Sequence, residues 1–337
     1  MSICYKPFEL HCHTRHSDGS QTVEELVRAA AGYEFAGVAL TDHNTQAAWQ
    51  EVTPELVEQY VPVVNGIEWT TFFGHMLVMG CDKYVDWRFA LPEDIDDYIK
   101  QIVDVGGIAG IAHPFEIGAP ICGGCHWEFN VHNWDNVSYI EIWSNPDPMT
   151  LAKNPAAIDW WTELLNQGHR LACSAGRDWH FPDGVHFDPS GKPKKDAGSK
   201  ILSATYLGVR DDLPVEEAVV DALRAGRTYL TLAPTLSLTA EQNGKTFAIA
   251  DVMANGTCTV RVELSMAERR HVWERFDVLP ETIRIVGRAG TWELPIVDGT
   301  AVFENITADG WLRAEVYGSK SGKSGQLLAI TSPIYAE

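Results

Sequence analysis

Histidines and acids in this chain fall where short apolar runs end. His11-Cys12-His13 closes the first such run, Phe8-Glu9-Leu10. Side chains two residues apart on a strand return to the same face, so both imidazoles can address one ion. Asp18 and Gly19 follow in a turn, Thr41-Asp42-His43-Asn44 closes the second run, and Glu68 follows the third with His75 seven residues on. His113-Pro114 ends a glycine-rich fourth run, and Asp178-Trp179-His180 repeats the i, i+2 spacing after the sixth. A lone histidine at a strand end is more often a hydrogen-bonded structural residue than a ligand. A whole set in phase with the strands points instead to a metal centre. Nitrogen and oxygen donors without a required thiolate suit Zn²⁺, Mn²⁺ or Fe²⁺. Two such ions about 3.5–4 Å apart can share a water, make it hydroxide at neutral pH and clamp substrate oxygens. Activity is expected to fall as acid protonates the donors and displaces the metal.

Strands must carry these residues to a common place. Phe8–His11, Gly37–Thr41, Val61–Val64, Gly107–Ile111, Val137–Ile142, Arg170–Ser174 and Ala204–Val209 read as strands. Helical spacing recurs between them at Thr22–Tyr33, Pro92–Val105, Ala157–Gln167 and Pro214–Ala225. Alternating strands and helices predict a parallel sheet, and about seven strands favour a barrel whose strand C-termini open on one face. Past Pro234 the pattern changes to short β-rich runs split by Gly and Asp/Asn turns, from Thr235–Ala240 to Leu327–Ile330. That predicts residues 234–337 as a small immunoglobulin-like β-sandwich following a barrel over residues 1–233. Gly184–Gly198, with Pro189, Pro193 and three lysines, reads as a polar loop leaving the barrel.

The ordered motifs His11-x-His13, Asp18-Gly19, Thr41-Asp42-His43-Asn44, Gly66-Ile67-Glu68, Ala112-His113-Pro114 and Gly176-x-Asp178-x-His180 resemble those of the PHP (polymerase and histidinol phosphatase) superfamily, over roughly residues 5 to 230. Glu68-x₆-His75 and the β-rich tail ending Ala329-Ile330-Thr331-Ser332-Pro333-Ile334 resemble a stand-alone subgroup that includes a carbaryl hydrolase. The resemblance implies a distorted (β/α)7 barrel with two to three divalent transition metals. It implies that His11, His13, Glu68 and Asp178 hold the first metal. Glu68, as a bridge, would hold the second with His75 and His113, and Asp18, His43 and His180 a more labile third. Asp18 stands where many members have histidine. The residues expected to act in catalysis are Glu68, Asp178, Arg177 and His180.

Around this set the readings stay open. Arg177 either binds a substrate anion or pairs with one of the many acids, and Arg15 and His16 either touch substrate or face solvent. Asp42 either orients an imidazole or caps a strand end. Glu141, inside an apolar strand where an unpaired charge is costly, reads as a partner for the site rather than a ligand. Cys122-Gly123-Gly124-Cys125, with His126 and His132, reads as a loop with incidental thiols ahead of a satellite metal site. Trp127 and Trp179 are candidates for a pocket wall.

The bulk numbers set limits. Of 337 residues 45% are hydrophobic, and the formal charge is −20. That charge opposes general affinity for a nucleic-acid polymer or an anionic membrane, while leaving room for a small anion at metal ions. No apolar run could span a bilayer, and the N-terminus lacks the order of a signal peptide. Seven scattered cysteines suit reduced thiols in a cytoplasm. The expected function is a metal-dependent phosphoesterase acting on a small phosphorylated molecule, its nucleophile a metal-bridged hydroxide. Carboxylic or carbamate ester hydrolysis at the same metals is the alternative, and a catalytically inactive binding module is the non-enzyme reading. Oligomeric state is left open.

Overall fold

The computed structural model describes residues 2–81, 83–118, 124–145, 148, 152–182, 185–187, 193–195 and 203–337. The first strands in chain order are β1 (Ile3–Glu9), β2 (Gly37–Leu40), β3 (Val63–Thr71), β4 (Gly74–Met79), β5 (Ile108–Ile111), β6 (Val137–Ser144) and β7 (Ala172–Gly176). A short pair, β8 (Val185–Phe187) and β9 (Pro193–Lys195), precedes β10 (Ala204–Arg210) and β11 (Thr228–Thr231). The rest of the expected loop Gly184–Gly198 lies outside the described residues. Helices α1 (Val23–Gly32), α2 (Pro54–Gln59), α3 (Ile95–Asp104), α4 (Lys153–Asn166) and α5 (Val215–Ala225) fall between the strands. Local chemistry sets their ends. Thr22 and Glu25 form a reciprocal capping box at the start of α1, which buries Val23, Leu26, Val27 and Ala30 at helical spacing.

Hydrogen-bonded neighbours run β11-β10-β1-β2-β3-β4-β5-β6-β7. The expected barrel of parallel strands is corrected in two respects. First, the sheet is mixed: β1–β2, β2–β3, β5–β6 and β6–β7 are parallel, whereas β3–β4, β4–β5 and β1–β10 are antiparallel. β3 turns straight into β4 through Phe72-Phe73, with Thr71 opposite Gly74, and so short a connection can only join antiparallel strands.

Second, among the described residues no ladder closes the barrel. β7 approaches β10 and β11 through side chains. Thr205 Oγ1 accepts from the Ala175 N–H at 2.8 Å and donates to the Ala175 carbonyl at 2.9 Å. Thr228 Oγ1 donates to the Cys173 carbonyl at 2.7 Å, and Ser332 Oγ accepts from the Cys173 N–H at 3.0 Å. An isolated backbone bridge between Cys12 and Trp179 joins the segments that follow β1 and β7. Three hydroxyls, from Thr205, Thr228 and Ser332, thus hold a slot that a ladder would otherwise fill.

Beyond Pro234 come β12 (Thr235–Gln242), β13 (Lys245–Ala248), β14 (Val252–Met253), β15 (Gly256–Ser265), β16 (Leu279–Gly287), β17 (Gly290–Pro295), β18 (Thr300–Ala308), β19 (Gly310–Lys320), β20 (Lys323–Thr331) and β21 (Ile334–Ala336). β13-β12-β15-β18 form one sheet. Leu236, Leu238 and Ala240 alternate inward along β12, the period-two signature of a half-buried strand. The other strands continue the first sheet, because β20 pairs antiparallel with β11 and β19 pairs with β16, β20 and β21. β19 also meets α4: Trp311 Nε1 donates to Asn166 at 3.0 Å and Arg313 Nη1 to Thr162 at 2.8 Å. No described helix is long and apolar enough to cross a membrane.

Candidate metal centre

β1, β2, β5 and β7 deliver their C-terminal ends to one side of the sheet, where antiparallel β4 begins. Five histidines close on the Glu68 carboxylate there. Oε2 lies 3.4 Å from His11 Nε2, 3.3 Å from His13 Nε2 and 2.8 Å from His43 Nδ1. Oε1 lies 2.8 Å from His75 Nδ1 and 3.1 Å from His113 Nε2. The hairpin explains His75: Glu68 is opposite Leu77, so His75 is its diagonal cross-strand neighbour. Asp178 Oδ1 is 3.0 Å from His13 Nε2 and 3.4 Å from His11 Nε2. Asp18 lies 3.1 Å from His180 Nε2 and 3.5 Å from His43 Nε2. All nine expected ligands, His11, His13, Asp18, His43, Glu68, His75, His113, Asp178 and His180, meet in one cluster.

Three sets in it bring their donor atoms within 4.8 Å of one another: His11, His13, Glu68 and Asp178; His13, Asp18, His43 and His180; and His43, Glu68 and His75. The first is the four-residue set implied by the motifs, and the second is the expected third set with His13 added. His113 touches Glu68 without joining a set.

Charge and hydrogen bonding both fit a cation. Burial alone would raise the Glu68 carboxyl, but His11 and His75 hold it well below the usual carboxylate range. Burial opposes protonation of His11, yet Glu68, Glu141 and Asp178 push its imidazole well above the ordinary value; His43, likewise desolvated, rises to about 10 beside Asp18 and Glu68. The acids therefore demand positive charge at the imidazoles, which a divalent cation supplies while the rings stay neutral. His11 Nε2, both His13 nitrogens, Glu68 Oε2, His75 Nε2, His113 Nδ1 and Asp178 Oδ1 are buried and make no hydrogen bond. Buried polar atoms are seldom left so, and a shared ion satisfies several at once.

The backbone is bent to this purpose. His113 and Asp178 hold φ of 24° and 52°, a region costing about 1–3 kcal/mol for such residues. Gly176 is required because a Cβ there would sit 2.1 Å from Glu141 Oε2 and 2.6 Å from His11 Cβ. At Gly19 a Cβ would meet the His13 backbone at 2.5 Å, so only glycine lets the Asp18 turn fold back on that strand end.

Glu141 Oε2 accepts from His11 Nδ1 at 2.9 Å, fixing the tautomer that turns Nε2 toward Glu68 and Asp178. Glu141→Gln should therefore weaken metal affinity by about 10–100-fold with the fold intact; titration calorimetry with Zn²⁺ checks this, and unchanged affinity would separate Glu141 from the centre. Thr70 Oγ1 lies 2.7 Å from His43 Nδ1, a partner the sequence reading missed. Glu9, also missed, is buried, and its Oε1 accepts from the N–H groups of Leu10, His11 and Arg177 at 3.1, 3.2 and 3.1 Å. It clasps the strand end bearing His11 to the one bearing Asp178. A charge inside an apolar run, the signal that marked Glu141, marked Glu9 too.

Other expectations land elsewhere. Arg177 stacks over the Trp179 ring at 3.7 Å, near Tyr33, and its charge reaches Glu9 and the Cys12 thiol. Arg15 Nε donates to the Ser20 carbonyl at 2.9 Å, and His16 lies 2.6 Å from Glu51. Asp42 accepts from Thr14 N, Thr14 Oγ1 and Ser17 Oγ at 2.7, 2.8 and 2.6 Å, so it caps the loop after His13. Cys122 lies outside the described residues; among these, Cys125, His126 and His132 join no ligand set. Trp127 packs on Phe129 with centroids 5.1 Å apart.

Known proteins resemble this chain in sequence or in fold. A 78-residue segment, 22% of this chain, is 33% identical to a 3',5'-nucleoside bisphosphate phosphatase of Chromobacterium violaceum, and spans 27% of that protein's length. The fold is similar, at a TM-score of 0.50 and 14% identity, to a two-domain protein of Bacteroides vulgatus containing a predicted PHP-like metal-dependent phosphoesterase. That likeness covers 98% of this chain and 95% of the other. The narrower likeness to the carbaryl-hydrolase subgroup rests on Glu68-x₆-His75 and the tail alone. Residues 9–169, which hold seven of the nine clustered ligands together with the β3–β4 hairpin, match the sequence model of the PHP domain family, so the PHP resemblance read from the motifs is borne out over that segment.

Proposed function

We propose that this chain is a metal-dependent phosphoesterase acting on a small phosphorylated molecule, with two to three Zn²⁺, Mn²⁺ or Fe²⁺ ions among its nine clustered donors. The observation that carries the reading is the convergence of five histidines on the buried Glu68 carboxylate. His11, His13, Glu68 and Asp178 would hold one ion. Glu68, His75 and His113 would hold a second, and Asp18, His43 and His180 a third. Bound there, the metals would make water nucleophilic at neutral pH and neutralise phosphoryl oxygens. The protein's part is to fix those donors: Glu141 and Thr70 set imidazole tautomers, and Glu9 clasps the two strand ends. Asp178 and His180 stand next to each other at the open side, where substrate would enter.

Residues 1–233 would form the catalytic domain and residues 234–337 a β-sandwich that shapes access or assembly. Among the described residues six cysteines are free, which supports a reducing, cytoplasmic setting.

Protein purified without chelators should contain two to three transition-metal ions per chain by elemental analysis. Metal-replete protein should hydrolyse p-nitrophenyl phosphate or its bis-ester in preference to p-nitrophenyl acetate and an aryl carbamate. Fewer than one ion per chain, with no gain on reconstitution, would remove the metal centre. Ester or carbamate turnover without phosphoesterase activity under any of the three metals would reverse the reaction class.

A further inference from the structure

A phosphoryl group offers more non-bridging oxygens than two metal ions contact, and the arginines nearest the ligands in sequence are turned elsewhere. Another cation does face the cluster. Lys153 opens α4, and the buried neighbour Asn154 ties that helix start to the end of β6: its Oδ1 accepts from Ser144 N at 3.0 Å and its Nδ2 donates to the Ser144 carbonyl at 2.9 Å. Nδ2 also reaches the Pro148 carbonyl at 2.7 Å. The stem of Lys153 is thereby fixed on the metal side of the sheet. Its side chain is only 12% exposed, its ammonium pairs with the Glu116 carboxylate, and Ser144 Oγ lies 3.4 Å away.

The ammonium closes one wall of an open cleft of about 610 Å³. Phe115, Glu116 and Ile117 line it directly after ligand His113, and Asn145, another lining residue, donates its N–H to the Gly176 carbonyl at 3.0 Å, two residues before Asp178. The cleft therefore adjoins the metal cluster at two ligands. Its remaining walls are apolar or aromatic: Phe115 meets His126 edge-on with centroids 5.6 Å apart, and Ile117 stands 66% exposed. Burial draws the Lys153 ammonium down to about 8 while Asp178 pulls the other way, so the group is charged at neutral pH and its charge reaches the cluster.

We infer that Lys153 binds an anionic phosphoryl oxygen of the substrate, exchanging Glu116 for it, and that the Phe115–Ile117 cleft receives an apolar ring of the leaving alcohol. The inference rests on the phosphoesterase reading and narrows its substrate class to aryl or similarly flat, ring-bearing phosphoesters. A pre-placed ammonium next to a competing carboxylate is a selective anion site, because only a ligand that outbids Glu116 gains the pair.

The test uses full-length, metal-loaded protein, with p-nitrophenyl phosphate and glycerol 2-phosphate as substrates and inorganic phosphate as the binding probe. Lys153→Met should raise KM for p-nitrophenyl phosphate by about 10–100-fold, the worth of one charge-assisted hydrogen bond. Phosphate affinity should fall in parallel, with metal content unchanged and kcat within a few-fold. Lys153→Arg should restore most of the affinity, and Glu116→Gln should tighten phosphate binding. Phe115→Ala should shrink the preference for the aryl over the glycerol ester. Wild-type KM and phosphate affinity in metal-replete Lys153→Met protein would overturn the inference and leave the phosphoesterase reading standing. If Lys153→Met does not fold, unchanged phosphate affinity in Glu116→Gln overturns it equally. Absence of phosphoesterase activity from the wild type would end both.

Discussion

Glu68→Gln protein should retain its fold and lose at least about 1000-fold in kcat/KM toward a phosphoester, since both metal-borne activation of water and charge neutralisation fail together. The carboxylate meets five imidazoles between 2.8 and 3.4 Å away. An amide is nearly the same shape, so packing is kept, but it has no charge to hold two cations and its NH₂ offers donors where a metal needs an electron pair. Elemental analysis should show no more than one ion per chain, while circular dichroism stays native-like. Near-wild-type turnover and metal content would show that another residue joins the metals. Because His11 and His75 hold the buried Glu68 carboxyl well below its usual range, its charge stabilises the folded apo protein, so the apo variant should be less stable than apo wild type.

A chain ending at Ala233 should fail to give soluble, folded protein. β11 is hydrogen-bonded on one side to β10 and on the other to β20, with Tyr229, Leu230 and Thr231 opposite Thr331, Ile330 and Ala329. Removing the tail strips that ladder, exposes the buried Leu230 and leaves an unprotected apolar edge. It also removes Ser332, whose hydroxyl receives the Cys173 N–H, and Trp311 and Arg313 on the flank of α4. Size-exclusion chromatography with circular dichroism would check it. A monomeric, metal-binding truncation would show that residues 1–233 stand alone as a domain.

Much of the site is legible in the residues because ligands recur where the apolar strand pattern stops, and period-two alternation turns His11 with His13, and Asp178 with His180, the same way. The same alternation carries the lesson of Arg177. One position from Asp178, it leaves the strand end on the other face, beside Glu9 and Trp179. Sequence adjacency to a ligand is therefore evidence against sharing its face. The mixed sheet was harder to read. Beyond His75, β4 is the unbroken apolar run Met76–Met79 with no helix before it, and nothing in its composition separates a hairpin strand from a buried continuation. The slot beside β7 was invisible too, because it depends on hydroxyls from Thr205, Thr228 and Ser332, far apart in the chain. Lys153 was hidden for a similar reason: its place follows from Asn154 gripping Ser144, a contact no spacing announces.

The pairing of β1 with β10 has a consequence for how the chain is made. Ile3 finds its partner in Arg210, and Phe8 finds Thr205, so the strand leading to His11 and His13 keeps one edge open while the intervening residues are translated. At synthesis rates of about 5–20 residues per second that wait is roughly 10–40 s. β11 waits again for β20, because Leu230 finds its partner only in Ile330. Ser332, which supplies one hydroxyl of the slot, likewise arrives only with the strands that follow β11. A nascent chain of this kind depends on protection of the β1 edge until β10 has been made.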